Sequence, residues 1–335
     1  MLVAGPAVAV VSMLAALLAT DAAGLPLRDP DHVAGRRLVV VLCLVAALVG
    51  LDVVVRAARR DGSFLPSRAT LSSVWRERWT LRRSVAVGSA LVSFYVTYLA
   101  YRNLKSVVPL LRPGELFDRQ LADLDRVLFG GDPAALLHDL LGIGVPTHVL
   151  SSSYMLFFAF IPGTLAAALV FSPNLQAGLF YVTAQAINWP LGAASYFLLP
   201  SLGPIYAEPA DFAHLPDSGV SQLQDVLLDQ RLEFLRDPLA GTAQSIAAFS
   251  SLHVSIFFTA VLAAHLLGLA RSVRIGAWIL LGLTIAATIY LGWHYVVDDV
   301  AGIAIGALAV VLARALTGLD PRTERPPSTS EPTPA

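Results

Sequence analysis

The apolar positions of the chain fall into windows of about 20 residues, with polar residues gathered between them. Windows of that length mark helices that cross a bilayer, since a helix satisfies its own backbone where no water is available. Eight are predicted, at 2–20, 38–55, 84–101, 149–171, 177–199, 246–267, 275–292 and 297–316. The first lacks the basic leading segment of a cleaved signal sequence and is followed by further spans, so it is expected to remain as an anchor. Between spans the pattern changes. In the loop 102–148, ELFDRQLADLDRVLF sets Phe117, Leu121, Leu124 and Leu128 at helical spacing. That predicts an amphipathic helix on the membrane surface, as part of a lid. The stretch 200–245 is acidic and proline-rich, and the closing PRTERPPSTSEPTPA has nothing to bury and is expected to be disordered. The fold class that follows is an all-α polytopic membrane protein. Two N-terminal transmembrane helices and a basic loop occupy 1–81, a six-helix core 82–318 and a polar tail 319–335.

Composition agrees: 56% of the 335 residues are hydrophobic and 14% charged, too apolar for an ordinary soluble domain. The net charge of −1 matters less than where the charges lie. Arg56, Arg59, Arg60, Arg68, Arg76, Arg78, Arg82 and Arg83 crowd the loop between the second and third windows, which makes that loop cytoplasmic by the positive-inside bias. Counting alternately, the turn 271–274 and the segment after Arg314 fall on the same side. SVWRERWTLRR in the basic loop reads as an interfacial anchor. The single cysteine, Cys43, excludes an intramolecular disulfide, and neither a metal-type cysteine pattern nor a glycine-rich nucleotide loop occurs.

The opposite face receives 102–148, 200–245 and the junction YLGWHYVVDD, at 290–299. Ionisable groups at membrane depth are costly and default to functional hypotheses. His294 and Asp298, at i and i+4, share a helix face. An aspartate that fixes one imidazole nitrogen leaves the other free to attack. Taken alone, such a pair equally suits a salt bridge at a helix start. FSSLHVS, at 249–255, adds His253 at the outer end of another window, beside Ser250 and Ser251, which are candidates to bind phosphate oxygens. Two histidines and an aspartate meet the needs of phosphoryl transfer through a phosphohistidine: a nucleophile, its orienter and an acid/base. Asp299, out of phase with His294, suits a helix cap. Gly302 and Gly306 form a GxxxG contact, Pro162 and Pro190 predict kinks, and His265 reads as a packing residue.

Phe249-Ser-Ser-Leu-His253 followed by Tyr290-Leu-Gly-x-His294-x3-Asp298 resembles the second and third signature motifs of the type 2 phosphatidic acid phosphatase superfamily, Pro-Ser-Gly-His and Ser-Arg-x5-His-x3-Asp. The resemblance covers roughly 82–316 and implies a six-helix core. It also implies His294 as nucleophile, Asp298 as its orienter and His253 as acid/base. Leu252 stands where the motif has glycine, Ser250 where it has proline, and Ala287-Thr288 where it has Ser-Arg. Ser-Leu-His, the missing arginine and the proline-rich YFLLPSLGPIY are more similar to the inositol-phosphorylceramide synthase branch, which moves a head group between lipids. The first phosphatase motif, Lys-x6-Arg-Pro, occurs as Lys105 to Arg112-Pro113, but two windows separate it from Ser250. It is either a phosphate clamp or an accident of a basic loop. Lys105, Arg102 and Arg112 are the candidate cations for phosphate or head group, against a plain interfacial role.

The expected activity is therefore a membrane phosphotransferase or phosphatase on lipid-linked phosphates, leaning to head-group transfer, with no cofactor and no metal called for. Hydrolysis of phosphatidic acid or polyprenyl phosphates is the alternative. A proton-coupled transporter is the alternative of another class, and would string its ionisable groups through the membrane. The expected partners are the membrane and a lipid phosphate, not nucleic acid, and nothing in the pattern selects an oligomeric state. High alanine and arginine with one lysine suggest a GC-rich bacterial genome, hence a plasma-membrane protein with its site facing the periplasm or exterior.

Overall fold

A computed structural model describes residues 3–29, 32–172 and 174–319. The tail from 320 onward, expected to be disordered, lies outside the described residues. The helices in chain order are α1 (Ala4–Ala22), α2 (Val33–Asp61), α3 (Arg68–Arg78), α4 (Leu81–Leu111), α5 (Asp118–Phe129), α6 (Pro133–Leu141), α7 (Val145–Met155), α8 (Phe157–Phe171), α9 (Leu175–Leu198), α10 (Pro204–Ala207), α11 (Gly219–Arg236), α12 (Leu252–Leu266), α13 (Arg271–Tyr290) and α14 (Val296–Thr317).

Six helical segments are long and apolar enough to cross a membrane: α1, α2, α4, α7 with α8, α13 and α14. Two predicted spans differ, each for a physical reason. Residues 177–189 of α9 are buried without a break, and its polar side chains bond inside the bundle. Gln185 donates to Ile256 O, and Asn188 donates to Ala184 O and to Thr259 Oγ1 while accepting from Ser255 Oγ. A helix surrounded by protein can carry such groups where a lipid-facing one cannot. The helix expected from 246 instead starts at Leu252 and runs 15 residues, about 22 Å at 1.5 Å per residue. Ahead of it the backbone donors bond to other partners: Ala248 N to Ser201 O, Phe249 N to Ser201 Oγ, Ser250 N to Ser195 Oγ and Ser251 N to Asp298 O.

Around α9 pack α4, α8, α12 and α14, and α1 lies along α4. The two N-terminal spans are thus packed onto the core. The helix break appears six residues before Pro162, at Leu156, where α7 gives way to α8. At the arginine-rich end Arg78 pairs with the buried Asp52, and Arg83 donates to Leu169 O and Val170 O, closing the C-terminus of α8. The histidines sit at the other end of the bundle.

The GxxxG of α14 does what the sequence suggests. A Cβ on Gly302 would lie 2.4 Å from Ser251 O, and one on Gly306 2.7 Å from Ser255 O, so α14 touches α12 backbone to backbone. Gly302→Ala should therefore push the two helices apart and lower stability by about 1–3 kcal/mol, read as an earlier unfolding midpoint in detergent. Gly276→Ala, on open surface, should leave the midpoint in place.

Candidate active site

The turn between α13 and α14 carries His294, and its backbone is bonded almost group by group. At the C-terminus of α13, where helix carbonyls lack partners, His138 Nε2 meets Tyr290 O at 2.8 Å, Gln224 Nε2 donates to Leu291 O at 2.8 Å and Ile205 N donates to Gly292 O at 2.8 Å. Trp293 N and His294 N both donate to Thr288 O. At the start of α14, Asp298 accepts from Tyr295 N at 3.0 Å, and Asp125 accepts from Val296 N at 2.6 Å and Val297 N at 3.2 Å. Gly292 adopts φ +70°, and a Cβ there would lie 2.8 Å from the Phe212 ring, so glycine is required on both counts.

Asp125 belongs to α5, the predicted amphipathic helix, which is rotated relative to expectation. Asp118, Leu121, Ala122 and Asp125 form its buried face, while Leu124, Val127 and Leu128 are exposed. Through Asp118 and Asp125 it clamps the turn. Asp118 accepts from Leu202 N and Gly203 N and is reached by the Tyr295 hydroxyl at 3.3 Å. Burial pushes both carboxyls up from the ordinary carboxylate value, and their backbone donors pull the other way. The aspartates face inward because buried N–H groups await them, a preference hydrophobic periodicity cannot register.

His294 is 6% exposed, and its Nδ1 lies 3.4 Å from Asp298 Oδ2. Contacts of this kind are often long in unliganded sites and tighten with substrate. The roles expected of the two aspartates differ from those observed. Asp298 supplies the helix cap as well as the imidazole contact. Asp299, expected as the cap, points inward, where Thr288 Oγ1 donates to it at 2.9 Å and Ser251 bonds it too. Burial pulls the His294 imidazole down to about 4, with the nearby Lys105 charge acting in the same direction and Asp299 opposing.

His253 is the second residue of α12, whose N-cap Ser251 accepts from Val254 N. Its ring lies 6.4 Å from that of His294, 4.3 Å from Tyr154, on which it stacks, and 4.0 Å from Phe157. Tyr154 also stacks on Trp293 at 5.3 Å. These aromatic residues come from the α7–α8 kink and hold both histidine-bearing segments, and nothing in their own spacing announced them. His253 Nε2 is buried without a hydrogen-bond partner among the described residues.

Both histidines line a cavity of about 750 Å³ whose other walls include Lys105, Arg102, Tyr98, Tyr101, Trp189, Tyr196, Gln230 and Glu233. The Lys105 ammonium lies 5.1 Å from the Tyr196 ring centre and 5.8 Å from that of Tyr101, and no described carboxylate pairs with it. Pro109 lacks the N–H that would bond the Lys105 carbonyl, and Gln244 takes that carbonyl at 2.7 Å, tying the loop before α12 to α4. Arg102 reaches the cavity while paired with Asp29 at 3.1 Å. Arg112 does not reach it; its guanidinium bonds Phe197 O and Glu115, so the Lys-x6-Arg-Pro segment contributes only its lysine. Ser250 and Ser251 are also absent from the walls. Both are fully buried and bonded inward, to Ser195 and to Val254 N, so neither is placed to hold phosphate.

Paired imidazoles, a backing carboxylate and an ammonium without a counter-ion, at one end of a bundle of membrane helices, define the class: a multi-pass membrane protein with a site suited to phosphate esters. A family model of the PAP2 superfamily matches residues 119–312, more than half of the chain, and the chain belongs to that superfamily. Its members are phosphatases and phosphotransferases. No curated protein and no solved structure matches the chain.

Two outcomes test the site. Replacing Asp125 by alanine frees two buried N–H groups at the start of α14 and should cost about 0.5–2 kcal/mol of stability, with kcat falling more than KM rises, measured in nanodiscs. The His294 imidazole should titrate near 4 rather than the ordinary 6.5, by ¹⁵N NMR assigned against His294→Ala. A depressed folded-state value places its stabilising contribution above pH 6.5. As pH falls from there toward 4, the unfolded chain binds a proton that the folded chain refuses, and stability declines.

Proposed function

We propose that the protein transfers a phosphoryl-bearing head group between membrane lipids through a phosphohistidine on His294. The observation that carries this reading is the meeting of His294, backed by Asp298, with His253 and Lys105, with which no described carboxylate pairs, on one cavity. His294 is neutral at physiological pH, and Asp298 beside Nδ1 leaves Nε2 as the attacking atom. As the N–P bond forms, the ester P–O bond breaks and the leaving oxygen takes a proton from His253. In the second displacement an acceptor hydroxyl attacks phosphorus and returns its proton to His253 while the N–P bond breaks. Asp298 offsets the imidazolium charge, and Lys105, with Arg102 farther out, neutralises the phosphoryl oxygens.

Charge favours transfer over hydrolysis. A phosphomonoester brings close to two negative charges at neutral pH, whereas a diester brings one. At the motif position of the missing arginine, Thr288 donates to Asp299, and of the wall cations it is Lys105 that acts on both histidines. That supply suits a diester donor. The aromatic lining also limits water, as a transferase requires. Hydrolysis of a lipid phosphate is the second reading, since water in place of the acceptor completes the same cycle. The lean to the inositol-phosphorylceramide synthase branch is part of the proposal, as are a bacterial plasma membrane and a cavity facing the periplasm or exterior, opposite the arginine-rich end.

Purified protein supplied with head-group-labelled phosphatidylinositol should label an added lipid alcohol in proportion to that acceptor. Release of free phosphate or head group regardless of acceptor would favour the hydrolase. His253→Asn should slow both displacements, and the acid-labile phosphoryl label formed by the unaltered chain should be absent from His294→Ala. Full activity of His294→Ala would end the mechanism.

A further inference from the structure

The second helix, α2, lies outside the segment matched by the family model, yet it supplies part of the cavity wall through Val33 and Arg37. Arg37 is held there rather than trailing into solvent. Its Nη1 donates to the Tyr98 hydroxyl, and its guanidinium carbon lies 5.2 Å from the Tyr98 ring centre and 5.5 Å from that of Phe158. Among the described residues no carboxylate pairs with it. Of the other arginines at this end, Arg102, Arg112 and Arg126 pair with Asp29, Glu115 and Glu208, while Arg28 and Arg231 donate to Pro238 O and Gln244. A guanidinium has five donors in a planar fork, and the Tyr98 hydroxyl engages one nitrogen, so the fork keeps donors for an anion.

Tyr98 stacks on Tyr101 with ring centres 6.2 Å apart, and Tyr101 in turn lies beneath the Lys105 ammonium. One aromatic floor therefore joins the two cavity cations that lack carboxylate partners. Lys105 acts electrostatically on both histidines and stands at the reacting end. Arg37 stands at the rim between α2 and α8, next to Phe158, which is 39% exposed. The wall between them, with Trp189 and Tyr196, is suited to the less polar part of one molecule.

We propose that Arg37 forms a second anion subsite, so that the substrate is a lipid carrying two separated anionic groups. One is the phosphoryl centre at Lys105 and the histidines; the other is a phosphate or carboxylate elsewhere on the same molecule, bound by the guanidinium fork on the Tyr98 shelf. The inference rests on the proposed phosphoryl-transfer reading for the first group and adds a specificity residue from the N-terminal helices. It also gives those helices a role beyond anchoring.

The test uses the full chain bearing His294→Ala, to prevent turnover, in nanodiscs. Binding of dihexanoyl phosphatidylglycerol is compared with that of dihexanoyl phosphatidylglycerophosphate, which adds one phosphate to the same head group. The second phosphate should tighten binding about tenfold or more, the scale of one charge-assisted contact. Arg37→Gln should reduce that ratio to about threefold or less, and Arg37→Lys, which keeps the charge, should restore part of it. The ratio is insensitive to a general weakening of the bundle. Equal losses for both lipids, or a ratio that survives Arg37→Gln, would overturn the subsite while leaving the first intact. If neither lipid binds, or if binding of the singly charged lipid is indifferent to Lys105→Met, the phosphoryl-transfer reading itself falls, and the subsite with it.

Discussion

Helix ends at the edge of a bilayer leave backbone groups that neither the helix nor bulk water satisfies, and this constraint organises the protein. The turn 290–297 joins two such ends. Its carbonyls are taken by His138, Gln224 and Ile205, and its N–H groups by Thr288 O, Asp298 and Asp125. These partners come from α5, α6, the loop at α10, α11, α13 and α14 itself. The segments between the spans, which look like loose connections along the chain, are thus the scaffold of the histidine turn. A ring held by so many backbone contacts enters a reaction already oriented, and that lowers the entropic part of a barrier.

The same economy governs the two helices that depart from a simple membrane pattern. α9 holds Gln185 and Asn188 because α12 returns bonds to them: Ile256 O accepts from Gln185, Thr259 Oγ1 accepts from Asn188 and Ser255 Oγ donates to it. The seat of Leu252 is a second case. A Cβ on Gly192 would lie 2.6 Å from the Leu252 side chain, so the glycine of α9 provides the hollow that the leucine fills. Beside His253 stands this leucine, where the resembled motif has glycine, and the small residue lies on the facing helix. His253 keeps its place at the start of α12, and the cavity gains an apolar wall.

The sequence makes the spans legible because hydropathy is a local property. It likewise makes the paired histidines, Asp298, the GxxxG contact and the lysine of the first motif legible, because each stands at a spacing with a chemical reason. What it hides is tertiary. The inward turn of α5 follows from N–H groups more than 80 residues away in sequence. That Asp298 takes the cap as well as the imidazole contact, while Asp299 turns inward, depends on Thr288 facing inward from α13. Arg112 and the two serines satisfy motif spacing, yet local carbonyls, an acid and a serine on α9 claim them. Tyr154, Phe157 and Arg37 reach the cavity from helices whose apolar pattern gives no hint of a site.

Counting cations against carboxylates ties these observations together. A buried charge without a partner costs far more than one whose partner is present, so a membrane protein that leaves a cation unmatched has a use for it. Arg78, Arg102, Arg112 and Arg126 are all matched by acids. Among the described residues Lys105 and Arg37 have no carboxylate partner and both line the cavity that holds the histidines, whereas Arg28, Arg83 and Arg231, also without an acid, are taken by carbonyls or by Gln244. The acids nearest the reacting end do not serve them: Asp298 faces His294 and caps α14, and Asp299 is bonded by Thr288 and Ser251. An arginine at position 288, as in the phosphatase motif, would add one positive charge to the reacting end, to the benefit of a dianionic phosphate. With threonine there, the charge left for substrate at the phosphorus is that of one lysine. On the proposed reading, the loss of that arginine is the step that fits the site to a diester, and the cation at the rim is what recognises the rest of the molecule.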